Sequence, residues 1–176
     1  ECEIVTTNCV TGKAEYMTER SDRDRLMKLC RASSSMPLVS PIVNVDGVPY
    51  LDGGLADSIP VKRAQALGNE KIIVILTRNP GYRKKPTSRG VKSLYKRAYK
   101  KYPNLVRTAI KRSMIYNQQM ELVEKLEDEG KIFVIRPLIP TVSRLEKNYD
   151  ALMHFYEHGY RLMKRQYQAL QEYMEK

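Results

Sequence analysis

The chain has 176 residues, 42% of them hydrophobic and 29% charged, which fits one soluble domain, or one domain with an appendage, and excludes a disordered or fibrous chain. Its longest aliphatic run, Ile72 to Leu76, falls far short of the ~20 apolar residues a membrane span needs, and the first residues show no basic segment leading into an apolar one. The net charge of +11 is concentrated: twelve of the 31 basic residues lie between Arg83 and Arg112 with no acid among them, which leaves 19 basic against 20 acidic residues elsewhere.

Residues 3–10 and 12–18 are rich in β-branched or aromatic side chains around Thr11-Gly12-Lys13, and predict a hairpin. Ser21 is placed to cap a helix, with Asp22 and Asp24 in its first turn and Leu26, Met27, Leu29 and Cys30 along it, ending near Ala32. The run Ser33-Ser34-Ser35-Met36-Pro37 breaks it. A second hairpin is signalled where 42–44 and 48–51 flank Asp46-Gly47. Pro60 opens a short helix that Gly68 closes. Lys71 to Thr77 is a continuous apolar run suited to a strand buried on both faces.

Beyond Pro80 the pattern turns helical. Val91, Leu94, Tyr95, Ala98, Tyr99 and Tyr102 form a helical stripe with lysines opposite, which Pro103 ends or kinks. A second helix spans about 104–129 and stops at Gly130, and Lys131 to Arg136 reads as another buried strand. From about Asn148 to the last residue a polar helix places Leu152, Phe155, Tyr156, Leu162 and Met163 on its buried side. The alternation favours an α/β core over residues 1–140, containing the basic helical segment 83–129, followed by a helical extension at 141–176.

The most specific local pattern is Val48-Pro49-Tyr50-Leu51-Asp52-Gly53-Gly54, continuing to Asp57-Ser58-Ile59-Pro60. It sets a carboxylate at the end of a strand, followed by two glycines that let backbone pass close to a ligand. In open α/β sheets ligands collect beyond the carboxyl ends of strands. Taken alone, the pattern is more often a simple turn.

Its surroundings add specificity. The order Thr6-Thr7-Asn8, Thr11-Gly12, Tyr16, then Ala32-Ser33-Ser34-Ser35-Met36-Pro37, then Pro41-Ile42, Asp46-Gly47, Tyr50-Leu51-Asp52-Gly53-Gly54 and Ile59-Pro60 resembles the patatin-like phospholipase family over roughly residues 3–77. The resemblance implies an α/β/α fold and acyl-ester hydrolysis by a serine–aspartate dyad that needs no cofactor. It implies a lipid or acyl-ester substrate, Asp52 as the catalytic aspartate, and Gly53 and Gly54 as active-site backbone. In such a dyad the carboxylate takes the serine proton during attack and then activates water against the acyl-enzyme. A carboxylate of ordinary pKa, about 3.9, is a poor base at neutral pH, so the role asks for a desolvated setting.

The family carries its nucleophile in Gly-x-Ser-x-Gly behind a glycine-rich oxyanion loop. No serine here has glycines two residues away on both sides. Both elements precede the matched region in the family. The chain opens on Glu1 with Ile4, Val5, Thr6 and Thr7 close behind, so it reads as the C-terminal part of something longer, silent by itself.

Other candidates have plainer uses. Ser33, Ser34 and Ser35 lack a glycine elbow and read as a helix end. His154 and His158, one turn apart with Asp150 on the same face, could hold a metal but read as a solvated surface. Cys2, Cys9 and Cys30 have no metal-type spacing; reduced thiols in a cytoplasmic setting are expected, with Cys9 and Cys30 as small core residues. Tyr95, Tyr99 and Tyr102 could stack bases, but packing on the core explains them. The basic stretch Arg83 to Arg112 suits a solvated helix face or contact with an anionic membrane surface. Nucleic acid or an acidic protein partner remains the alternative, in which the chain is a non-catalytic binding module.

Overall fold

The computed structural model describes residues 2–143 and 145–175; Glu1, Arg144 and Lys176 lie outside the described residues. The fold is α/β with a helical C-terminal region. The chain forms two units, one from Glu1–Pro60 with Arg83–Met120, the other from Val61–Tyr82 with Glu121–Lys176.

In the first unit both expected hairpins form. Strands β1 (Ile4–Asn8) and β2 (Ala14–Met17) pair antiparallel, as do β3 (Val43–Val45) and β4 (Val48–Asp52). Asp46 and Gly47 both take positive φ in the second turn, the geometry such two-residue loops need. Strands β1 and β4 join the hairpins, Thr6 opposite Asp52 and Thr7 opposite Leu51, into one antiparallel sheet of order β2-β1-β4-β3.

Alternation along β4 sends Tyr50 and Leu51 to opposite faces. Tyr50, Val43 and Val45 pack with Leu29 and Ala32 of helix α1 (Arg23–Ser33). Leu51, Cys9 and Leu55 pack with Tyr99, Leu105, Val106 and Ala109 from helices α3 (Arg89–Ala98, capped by Tyr99) and α4 (Pro103–Asp128). The unit is therefore layered helix–sheet–helix. The hairpin turn fixes α4: the Thr108 hydroxyl donates to the Gly12 carbonyl at 2.7 Å, and a Cβ on Gly12 would lie 2.7 Å from the Asn104 backbone. Pro103 opens α4, since the first helical position needs no N–H donor. Gly130, at φ +67°, follows the helix end.

The cap of α1 is Asp22, whose carboxylate accepts the N–H groups of Asp24 and Arg25 at 2.9 and 3.0 Å, and not Ser21. Ser21 is turned away because its N–H and hydroxyl both donate to Glu19. Cys30 is exposed, not a core residue, because α1 buries the face of Leu29 and Ala32.

In the second unit β5 (Ile73–Ile75) and β6 (Phe133–Ile135) pair in parallel after helix α2 (Val61–Ala66). β5 is not buried on both faces: Val74 is 8% exposed, while Ile73 and Ile75, on the other face, are 42% and 74% exposed. Helix α5 (Tyr149–Glu175) is anchored through Tyr173, whose hydroxyl accepts the Ile72 N–H at 3.0 Å and whose ring lies 5.8 Å from that of Phe133. Leu162 is buried; Leu152 and Tyr156, expected on the buried side, are exposed because the anchoring lies in the C-terminal half. The expected run to Lys176 ends outside the described residues. Among the described residues, no helix is long and apolar enough to cross a membrane.

Candidate active site

Asp52 ends β4 at the point where the chain leaves the sheet and enters a 3₁₀ turn, Gly53–Leu55. Its backbone is held from two elements. The Asp52 N–H donates to the Ser35 carbonyl beyond α1 at 2.9 Å, and the buried Thr7 hydroxyl of β1 donates to the Asp52 carbonyl at 2.8 Å. The side chain caps the turn: Oδ1 accepts the Gly54 N–H at 2.8 Å. Oδ2 makes no hydrogen bond among the described residues, and the side chain is half-buried. One carboxylate oxygen is fixed and the other has no hydrogen-bond partner among the described residues.

The two glycines meet different surroundings. A Cβ on Gly53 would stand 2.2 Å from the Val5 carbonyl oxygen, inside the backbone of β1. A Cβ on Gly54 would stand 3.2 Å from Asp52 Oδ1, 3.6 Å from Arg112 Nη2 and 3.7 Å from Ser58 Oγ. Carboxylate, guanidinium and hydroxyl thus surround one point over the turn. Arg112 reaches it from α4, its Nε donating to the Gly54 carbonyl at 2.8 Å.

Asp57, five residues on, is a contrasting carboxylate. Oδ2 accepts the Tyr16 hydroxyl at 2.5 Å and Oδ1 accepts the Gln119 amide at 2.6 Å. Both oxygens are spent on tying β2, the turn and α4 together.

Arg112 was visible in sequence only as one of twelve basic residues. The helical spacing of Leu105, Ala109, Arg112, Tyr116 and Met120 sets it among the buried positions of α4, where a lone cation is a signal that it has a fixed partner.

The other candidates do ordinary work. Ser34 and Ser35 hydroxyls donate to carbonyls of the last turn of α1, at Cys30 and Arg31. His158 Nε2 accepts the Leu138 N–H at 3.1 Å. Tyr99 is buried and its hydroxyl accepts the Leu38 N–H at 2.8 Å, so the tyrosine stripe packs on the sheet. Burial pushes the Cys9 thiol up to about 12, as expected of an inert core cysteine. Burial also raises Tyr95 above the usual phenol range, with the Arg112 charge opposing it.

Comparison with known proteins divides the chain. Residues 6–64 match the patatin-like phospholipase family, and residues 102–175 match a domain of unknown function, DUF6363. A stretch of 52 residues, 29% of this chain, is 42% identical to the uncharacterized protein YjjU of Escherichia coli (strain K12). It spans 15% of that relative's length.

Proposed function

Because residues 6–64 are patatin-like and the family is one of lipid hydrolases, we propose that this chain supplies the aspartate of a serine–aspartate dyad acting on lipid acyl esters. Asp52 is the general base, and the serine comes from a part of the protein outside these 176 residues, which contain no Gly-x-Ser-x-Gly. The observation that carries the reading is the asymmetry of the Asp52 carboxylate, one oxygen capping Gly54 and the other without a hydrogen-bond partner among the described residues. The fixed oxygen sets the orientation; the unpartnered one accepts the serine proton and later that of the water that releases the acyl group. The half-buried Arg112 beside the turn supplies positive charge where an acyl ester or its phosphate would lie. The basic segment 83–112 brings the site to an anionic lipid surface.

The test is made in a protein that carries both this chain and a Gly-x-Ser-x-Gly segment. Asp52→Asn is expected to lower esterase turnover by about 10⁴-fold, the scale of losing the carboxylate of a hydrolytic triad, with the fold intact. Asp57→Asn is expected to cost stability and little turnover. Equal activity of the Asp52 variant and the parent protein would remove the assignment.

A further inference from the structure

Helices α3 and α4 enclose a groove of about 470 Å³, within the size range of small-molecule sites. Its floor is apolar, made by Tyr99, Pro103, Val106 and Ile110. Its rim is cationic, made by Lys96, Lys100, Arg107 and Lys111. No aspartate or glutamate occurs between Lys71 and Met120, and none of the four rim cations has an ion-pair partner among the described residues.

The combination narrows the ligand. Cations alone would suit any polyanion, but an apolar floor between them asks for an apolar stem on the same molecule. Nucleic acid would need an exposed ring to stack on, and Tyr99 is 8% exposed with its hydroxyl already engaged. We propose that the groove binds one fatty-acid carboxylate, its chain along Pro103 and Ile110, the more exposed apolar lining, and its head among Lys96, Lys100, Arg107 and Lys111. This is the chemical class that acyl-ester hydrolysis releases, when water adds to the acyl carbon and the ester oxygen leaves with a proton. The inference rests on the lipid reading above and narrows the contact of segment 83–112 to one groove and one ligand.

The experiment is equilibrium dialysis of the 176-residue chain with labelled palmitate below its micellar concentration. Saturable binding at one palmitate per chain is expected, with hexadecanol bound at least about tenfold more weakly, since the alcohol has no charge for the rim cations to pair with. Acetate, which lacks the chain, should not compete. The exposed pair Lys100→Glu/Arg107→Glu should weaken palmitate by more than about tenfold, with unchanged circular dichroism. The pair Arg23→Glu/Lys28→Glu, on α1 across the sheet, should leave it unchanged. Equal binding of the alcohol, equal loss in the control pair, or several palmitates per chain would overturn the groove. Sedimentation with phosphatidylglycerol vesicles in the absence of palmitate binding would overturn it too, while sparing the membrane contact. Neither result touches Asp52, which is read by esterase activity.

Discussion

Around Asp52 most polar groups are matched to named partners: one carboxylate oxygen to Gly54, the peptide to Ser35 and Thr7, and the Gly54 carbonyl to Arg112. Along α3 and the start of α4 the rim cations Lys96, Lys100, Arg107 and Lys111 stand without carboxylate partners among the described residues. The first region works by position and the second by charge density. Isosteric or one-carbon changes should therefore be severe at the turn and mild at the rim cations, where only reversal of charge should be severe.

The largest effect expected on the charge side comes from Lys96, Arg97, Lys100 and Lys101 changed together to glutamate. Each cation near an anionic bilayer contributes about 1 kcal/mol, so their loss should lower partitioning onto phosphatidylserine vesicles by roughly 10³-fold. Binding of the unmodified chain should fall steeply as salt shortens the Debye length to about 8 Å at physiological ionic strength. Co-sedimentation reads both. Wild-type binding that is equal on neutral vesicles, or stronger to single-stranded RNA, would favour the binding-module alternative.

On the positional side, Gly53→Ala adds a single carbon that meets the Val5 carbonyl at 2.2 Å, a backbone atom that cannot swing aside. A cost of about 3 kcal/mol is expected, the upper range of overpacking, read as a lower urea midpoint with unchanged slope. Gly54→Ala, at 3.2 Å from the movable Asp52 carboxylate, should cost less. Equal stability of both variants with the wild type would mean that the Val5 backbone does not pack against Gly53.

What the sequence makes legible follows the same division. Local chemistry is readable: Asp46-Gly47 specifies its hairpin, Gly130 its helix end, and the Asp-Gly-Gly run its turn at a strand terminus. Partners distant in sequence are not. Nothing near Gly54 foretells that Arg112, 58 residues on, will hold its carbonyl, or that Gln119 and Tyr16 will occupy Asp57. The apolar run at β5 misleads for a related reason. Period-two alternation puts Ile73 and Ile75 on one face and Val74 on the other, and composition cannot say which face acquires a neighbour. Ser21 loses the cap of α1 to Asp22 because Glu19, two residues before it, claims its donors.

Cys9 tests whether the basic helices stay seated on the sheet. It is fully buried beside Tyr99, Leu105 and Val106, and burial pushes its thiol up to about 12. Iodoacetamide at pH 8 should label the exposed Cys2 and Cys30 and spare Cys9, giving two adducts by mass in native buffer and three in denaturant. Three adducts in native buffer would show that α3 and α4 lift away, and would weaken any groove between them.

The smallest effect concerns acid. The Glu19 carboxylate is held well below the usual carboxylate range, first by the Asp22 N–H, then by the Ser21 N–H, the Arg25 side chain and the Ser21 hydroxyl. These contacts are 2.8–3.0 Å long. A carboxylate whose pKa is lower folded than unfolded adds stability that is fully present above its unfolded value, about 4.3. That stability is lost as pH falls through the folded value. Glu19→Gln removes the titrating group while keeping an acceptor oxygen. The stability gap between wild type and this variant should be widest near pH 6–7, should begin to narrow below about pH 4, and should keep narrowing to the lowest pH at which the chain stays folded. The segment 83–112 has no carboxylate to protonate, so vesicle binding should not share that acid profile. Parallel stability curves for the two proteins from pH 7 to pH 3 would show that the loop before α1 is held by shape alone.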